Sequence, residues 1–288
     1  MKTAFVFPGQ GSQFVGMGKG FAESHLDEAN RILGFDLKKL CFEGPEEELK
    51  RTEITQPAIL TVSVAALQLL KEKPDAVAGH SLGEYSALVA AGSISFADAV
   101  KIVHLRGKFM QAAVPAGEGA MAAVLMPPKD KIREICEQVG DVQPANLNSP
   151  DQIVISGKKE AVEEAGKRLK EAGAKRIIPL AVSAPFHSRL MEPAAKKLEA
   201  ELAKITISDA KVPVVANVTA DYVASAEKIR ELLIRQVTGS VLWEYSVRKM
   251  IADGVGRFVE VGPGKVLCGL IKKIDPAVEA RTYDEVKG

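Results

Sequence analysis

The residues Gly79-His-Ser-Leu-Gly83 follow a short apolar run and lead into a helix-forming stretch. In that setting G-x-S-x-G is a nucleophile elbow, a sharp strand-to-helix turn that presents the Ser81 hydroxyl at the end of a sheet. Glycines flank the serine because close packing at such a turn leaves no room for side chains. The helix that follows aims its N-terminal amides at any anion forming there. The bare pattern also arises in structural turns; the strand before it and the helix after it favour the nucleophile.

A serine hydroxyl is a poor nucleophile until a base takes its proton. Four histidines are available. His25 sits in a polar stretch, His80 adjoins the nucleophile where neighbours point apart, and His104 lies on the polar side of its helix. His187, in Ala184-Pro-Phe-His-Ser188, remains, and it follows the serine in the chain, the order that nucleophile-elbow enzymes use. No Asp or Glu stands out as a third member, and a backbone carbonyl can hold the imidazole tautomer instead. The expectation is a Ser81–His187 dyad with its third position unassigned.

A tetrahedral intermediate needs two preset donors for its oxygen. The amide of Leu82, next after the nucleophile, is one candidate, and Gln10 in the loop Pro8-Gly-Gln-Gly11 is the other. That loop does not satisfy GxGxxG and no Walker lysine follows it, so it is not a nucleotide fingerprint. Arg106 is informative for a different reason. On a helical wheel, Ala99, Ile102, Val103, Phe109, Met110 and Ala113 form an apolar arc with Arg106 in its middle. A buried charge must be compensated. Arg106 therefore either pairs with an internal carboxylate, the commoner arrangement, or binds a ligand's carboxylate, which its planar fork suits.

These groups need elements to hold them. Residues 3–7 and 75–79 read as short buried strands, 56–70 as an apolar helix begun by Pro57, 85–91 as a helix stopped by Gly92, and 98–111 as another helix. Such alternation indicates an α/β domain with a largely parallel sheet. From residue 119 the order changes to strand 121–126, helix 129–139, strand 142–147, turn 148–151, strand 152–156, helix 158–172 and strand 175–180. That is the β-α-β-β-α-β ferredoxin-like unit. It reads as a small subdomain, 117–189, inserted into a large one made of 1–116 and 190–288. The large part resumes with helix 191–204, strand 212–217, a helical stretch to 236 and strand 257–261.

Hydrophobic residues make up 47% of the chain and charged residues 26%, as in ordinary soluble globular proteins. A net charge of +1 gives no whole-molecule field for nucleic acid or an anionic membrane. Cys41, Cys136 and Cys268 are far apart, with no CxxC pair for a metal, and read as small apolar residues in a reducing compartment. No apolar run reaches the roughly 20 residues of a membrane helix, and no leader is recognisable before residue 3, so the expected location is cytoplasmic.

Eight segments then form a set: Phe7-Pro-Gly-Gln-Gly-Ser-Gln13, Ile54-Thr-Gln-Pro-Ala58, Gly79-His-Ser-Leu-Gly-Glu-Tyr-Ser-Ala87, Leu105-Arg-Gly107, Gly119-Ala-Met-Ala-Ala-Val124, Asn148-Ser-Pro150, Ala184-Pro-Phe-His-Ser188 and Val261-Gly-Pro-Gly-Lys265. In this order, across nearly the whole chain, they resemble the malonyl-CoA:acyl carrier protein transacylases. The resemblance implies an α/β-hydrolase-like large subdomain with a parallel-sheet core, an inserted ferredoxin-like small subdomain, and an active site between them. By motif it makes Ser81 the acyl-accepting nucleophile, His187 the general base and acid, Gln10 and Leu82 the oxyanion hole, and Arg106 the anchor of the malonyl carboxylate. It places a backbone carbonyl near Arg235-Gln236 behind the histidine. Leu82 and Phe186 match features that accompany malonyl rather than methylmalonyl selection. Gln56, Met121 and Asn148 become pocket neighbours, with core packing the plain alternative for each.

The resemblance further implies malonyl-CoA as substrate, an acyl carrier protein as partner, no permanently bound cofactor or metal, and a place in fatty-acid synthesis. A monomer with no nucleic-acid or membrane partner is expected. A polyketide acyltransferase and a serine thioesterase or hydrolase are the alternatives within enzymes; a non-catalytic carrier-docking protein is the alternative outside them. Carrier proteins are typically acidic, so Lys38, Lys39, Arg189, Lys265, Lys272 and Lys273 are candidates for a basic rim, against the plain reading of solvated charges. One departure stands out. Gly239-Ser240-Val241-Leu242 precedes Trp243 where the family continues with a proline and an arginine, which bears on the shape of that loop.

Overall fold

The computed structural model describes residues 1–182 and 184–287. The chain begins β1 (Lys2–Phe7), α1 (Glu23–Leu33), α2 (Leu37–Glu43), α3 (Glu46–Leu49), α4 (Thr52–Leu67), β2 (Ala76–Gly79), α5 (Gly83–Ala90) and α6 (Phe96–Gln111). It continues β3 (Gly119–Leu125), α7 (Lys129–Val139), β4 (Val142–Ser149), β5 (Gln152–Lys158), α8 (Lys159–Glu171) and β6 (Arg176–Pro179). A 3-10 turn at Arg189–Met191 leads into α9 (Glu192–Leu202), β7 (Val214–Ala216), β8 (Asp221–Val223) and α10 (Ala226–Thr238). The last elements are α11 (Trp243–Ala252), β9 (Val255–Glu260), α12 (Val266–Ile274) and β10 (Glu279–Thr282).

The larger sheet has the order β10-β9-β1-β2-β7-β8, parallel except for the β7–β8 pair. β1 lies inside it, and its apolar run is continuous because helices cover both faces. Alternate residues feed different cores: Phe5, Phe7 and Val77 join the side of α1, α4, α5, α6 and α9, whereas Ala4, Val6 and Ala78 face Trp243, Met250 and Leu267 of α11 and α12. The smaller sheet, β4-β5-β3-β6, is antiparallel throughout. That order and the β-α-β-β-α-β sequence make it ferredoxin-like. Its two faces also divide the work. Met121 and Ala123 of β3 pack into the large core, while Ala122 and Val124 pack with Ile132 of α7 and Val162 of α8. The fold is α/β, hydrolase-like in its parallel sheet, with the second sheet laid against it.

Two local expectations need correction. α4 starts at Thr52, so Pro57 lies inside the helix instead of opening it. Proline cannot donate to the carbonyl four residues back, and that Glu53 carbonyl is taken by His104 Nδ1 at 2.8 Å. His104 is thus a half-buried partner of the α4 backbone, not a free polar-face residue. Asn148 and Ser149, expected in a turn, end β4, whose pairing with β5 continues through two register shifts to Ser149, so the turn holds Pro150 and Asp151. The 239–242 segment forms a tie between the sheets: Val241 N–H donates to the Ala145 carbonyl at 2.8 Å and Leu147 N–H to the Val241 carbonyl at 2.9 Å.

Candidate active site

The elbow follows from where its glycines sit. A Cβ on Gly79 would lie 1.9 Å from the Gly83 carbonyl group, and one on Gly83 only 2.0 Å from the Phe7 oxygen. Only hydrogen fits at either place, so β2 can turn into α5 directly against β1. Ser81 between them is held at φ 52°, in the left-handed region. Its N–H donates to Asn217 Oδ1 at 2.7 Å, and Asn217 Nδ2 donates to the Gly79 carbonyl at 2.6 Å, clamping both sides of the turn.

His187 arrives from the chain leaving the small sheet. Its Nε2 lies 2.7 Å from Ser81 Oγ, and its Nδ1 lies 2.9 Å from the backbone carbonyl of Gln236. A carbonyl can only accept, so Nδ1 carries the proton and Nε2 is left to accept from the serine hydroxyl. Burial, reinforced by the charge of Arg106, pushes the imidazole pKa down to about 3. The imidazole is therefore neutral at any ordinary pH. The other histidines are elsewhere: His25 stacks edge-on with Phe96, and His80 is turned away from the hydroxyl, bonded to Asn148 Oδ1 at 2.8 Å.

Arg106 projects from α6 to the same point and is 1% exposed. Its Nη1 donates to Gln56 Oε1 at 2.8 Å, and its Nη2 donates to Gln236 Oε1 at 2.9 Å and to Ser81 Oγ at 3.1 Å. Its guanidinium carbon lies 5.6 Å from the centre of the Tyr85 ring. Every one of these acceptors is neutral, and no described carboxylate comes within ion-pair distance. The internal salt bridge, the commoner of the two arrangements, is absent among the described residues. A cation left beside a nucleophile with neutral partners is suited to an acyl group that carries its own carboxylate.

The amides of Gln10 and Leu82 have no acceptor among the described residues, as donors kept for an oxyanion require. Their loops touch: a Cβ on Gly9 would lie 2.5 Å from the His80 carbonyl oxygen. The Gln10 side chain itself is exposed and reaches Thr52 Oγ1 at 3.5 Å. Gln56 and Gln236 contact Arg106 directly, whereas Met121 and Phe186 are buried in the core shared by the two sheets. Asn148 does not reach the dyad; it holds His80. The basic candidates are uneven, since Lys38 is bonded to Asp27 at 2.9 Å and Lys273 to Asp151 at 3.4 Å. All three cysteines are buried free thiols, and burial pushes each up to about 12.

Three residues of the site escaped the sequence reading. Asn217 follows β7, beside the elbow strand. Glu84, in the first turn of α5, accepts the Asn217 N–H at 3.0 Å and Gln236 Nε2 at 2.8 Å. Gln143 of β4 donates to the His187 carbonyl at 3.1 Å and accepts the Arg189 N–H at 3.1 Å. The only advance signal was a carboxylate, Glu84, inside an otherwise apolar helical stretch.

Residues 4–281 match the family model of the acyl transferase domain. The chain is 53% identical to the malonyl CoA-acyl carrier protein transacylase of Bacillus subtilis (strain 168), covering 95% of this chain and 90% of that protein. It is 52% identical to the protein of that name in Escherichia coli (strain K12), covering 98% and 96%. An acyl carrier protein S-malonyltransferase from Vibrio cholerae superposes with a TM-score of 0.95 at 47% identity, over 98% of this chain and 96% of that one. A malonyl-transacylase solved in complex with a type II PKS acyl-carrier protein superposes equally, with a TM-score of 0.95 at 47% identity over the same shares. With a family match over residues 4–281 and relatives at this identity, the chain belongs to the malonyl CoA-acyl carrier protein transacylases.

Proposed function

We propose that this protein moves a malonyl group from malonyl-CoA to the phosphopantetheine thiol of an acyl carrier protein, supplying fatty-acid synthesis, through an ester on Ser81. The observation that carries the reading is Arg106, a buried cation with neutral partners 3.1 Å from the nucleophilic oxygen. In a malonyl ester on Ser81 one methylene separates the ester carbonyl from the free carboxylate, so the carboxylate falls within reach of that guanidinium.

His187 Nε2 takes the Ser81 proton as Oγ attacks the thioester carbon. The amides of Gln10 and Leu82 receive the developing oxyanion, and the C–S bond breaks as His187 returns the proton to the CoA sulfur. The carrier thiol then repeats the steps in reverse order, giving a ping-pong cycle. Gln236 serves twice, orienting His187 through its carbonyl and Arg106 through its side chain. Selectivity follows from Arg106: an acetyl group would leave the cation without its anion. The reading assigns 117–189 to the small subdomain and 1–116 with 190–288 to the large one, and it describes a cytoplasmic monomer that uses no permanently bound cofactor.

Incubation with malonyl-CoA and a phosphopantetheinylated carrier protein tests this reading. The carrier should gain one malonyl unit while little free malonate appears. Malonate release as fast as carrier loading would identify a hydrolase instead.

A further inference from the structure

Glu84 has no part in that cycle, yet it is the carboxylate whose charge bears on Arg106. It is 3% exposed. Its Oε2 accepts from Gln236 Nε2 at 2.8 Å, and Gln236 Oε1 accepts from Arg106 Nη2 at 2.9 Å, so one amide separates anion from cation. A carboxylate only accepts, which fixes the amide with its oxygen toward Arg106. The unliganded pocket thus encloses one positive and one negative charge. A carboxylate docked on Arg106 would add a second negative charge to a site with a single cation, and buried sites relieve such imbalance by changing protonation.

We propose that Glu84 takes up a proton when the malonyl carboxylate docks on Arg106, so that the buried site exchanges one counter-charge for another and stays neutral. The proposal rests on the reading of Arg106 as the carboxylate anchor. Atoms balance: the Ser81 proton ends on the CoA sulfur, the C–S bond gives way to the ester C–O bond, and the Glu84 proton comes from water. The groups that act on Glu84 are Arg106 from α6, Tyr85 beside it on α5, and the amides of Asn217 and Gln236; the neutral Gln56 of α4 lies one contact further, on Arg106, and His187 one contact further, on the Gln236 carbonyl. Burial already raises Glu84 to about 7 against the pull of its two donors and Arg106. A second carboxylate on Arg106 offsets that pull and drives the value higher. Burial lowers both His80 and His187, so they stay neutral and do not compete for the proton.

The test mixes enzyme and malonyl-CoA, without carrier, in weak buffer at about pH 7.5 with an indicator dye, and follows intact mass in parallel. At that pH the released CoA thiol stays largely protonated. Wild type should consume about half a proton or more per malonyl group gained, whereas Glu84→Gln should be malonylated with no uptake. Malonylation of wild type without uptake, or equal uptake in Glu84→Gln, overturns the proposal. Should Glu84→Gln fail to fold, the wild-type kcat/KM for malonylation decides: it should fall several-fold between about pH 7 and 8.5, and a flat profile contradicts the exchange. Absence of any malonyl-enzyme would strike the function reading itself, a distinct result from malonylation without a proton.

Discussion

Ser81 and His187 both sit at positive φ, 52° and 58°, but different forces keep them there. At the elbow the main constraint is steric and stays within the large sheet, with Asn217 clamping the turn. Gly79 and Gly83 allow β2, α5 and β1 to meet at distances that admit no Cβ. At the base the constraint is polar and distant: His187 is held by the Gln236 carbonyl on its ring and by Gln143 on its own carbonyl. One comes from α10 of the large sheet's layer, the other from β4 of the small sheet. The turn that carries Ser81 is completed within the large sheet, by the elbow glycines against β1 and by Asn217 after β7, while the seating of His187 requires the two sheets to be correctly assembled.

The comparison can be broken most severely at the elbow. Gly83→Ala forces a methyl group against the Phe7 carbonyl, and it should cost about 3 kcal/mol or more of stability and abolish acylation. Denaturant unfolding and intact mass check this together; a stable, active variant would show that the elbow is not sterically locked. Next in size, Arg106→Ala should lower kcat/KM for malonyl-CoA by about 10²–10³-fold and leave or raise use of acetyl-CoA. Undiminished malonyl preference in that variant would remove Arg106 as the anchor. A smaller effect is expected on the base side. Gln143→Ala deletes one hydrogen bond behind His187 and should reduce kcat by about tenfold, with KM little changed. Steady-state kinetics with carrier in excess would measure it, and an unchanged kcat would mean that the loop holds itself.

The smallest predicted change is none at all. An ordinary imidazole base would lose activity as pH falls through 6.5. With its pKa pushed down to about 3, His187 stays unprotonated, so malonylation should not slow between about pH 7 and pH 5. The folded state carries the complementary penalty. Unfolded His187 binds a proton near its ordinary value and the native residue does not, so this group's share of stability is present above about 6.5 and is lost as pH falls toward 3.

What the sequence disclosed follows the same division. The elbow, the parallel sheet and the ferredoxin-like order were readable because each depends on spacing within a few tens of residues. The placement of Arg106 in an apolar stripe was readable too, but not its partners. Glu84 and Gln236 are 152 residues apart, and Asn217 lies 136 residues from Ser81. Nothing in local pattern announces such pairs. Pro57 misled in an instructive way: its preference for a helix start gave way because His104, from a different helix, could satisfy the carbonyl it freed. Asn148 was misplaced because strand register is settled by the neighbouring β5 rather than by its own turn-like neighbours.

The central claim is a malonyl ester on Ser81, and intact mass after brief exposure to malonyl-CoA without carrier tests it most directly. Wild type should gain one malonyl unit and Ser81→Ala none. A wild-type mass that does not rise, or an equal gain in Ser81→Ala, would contradict the account.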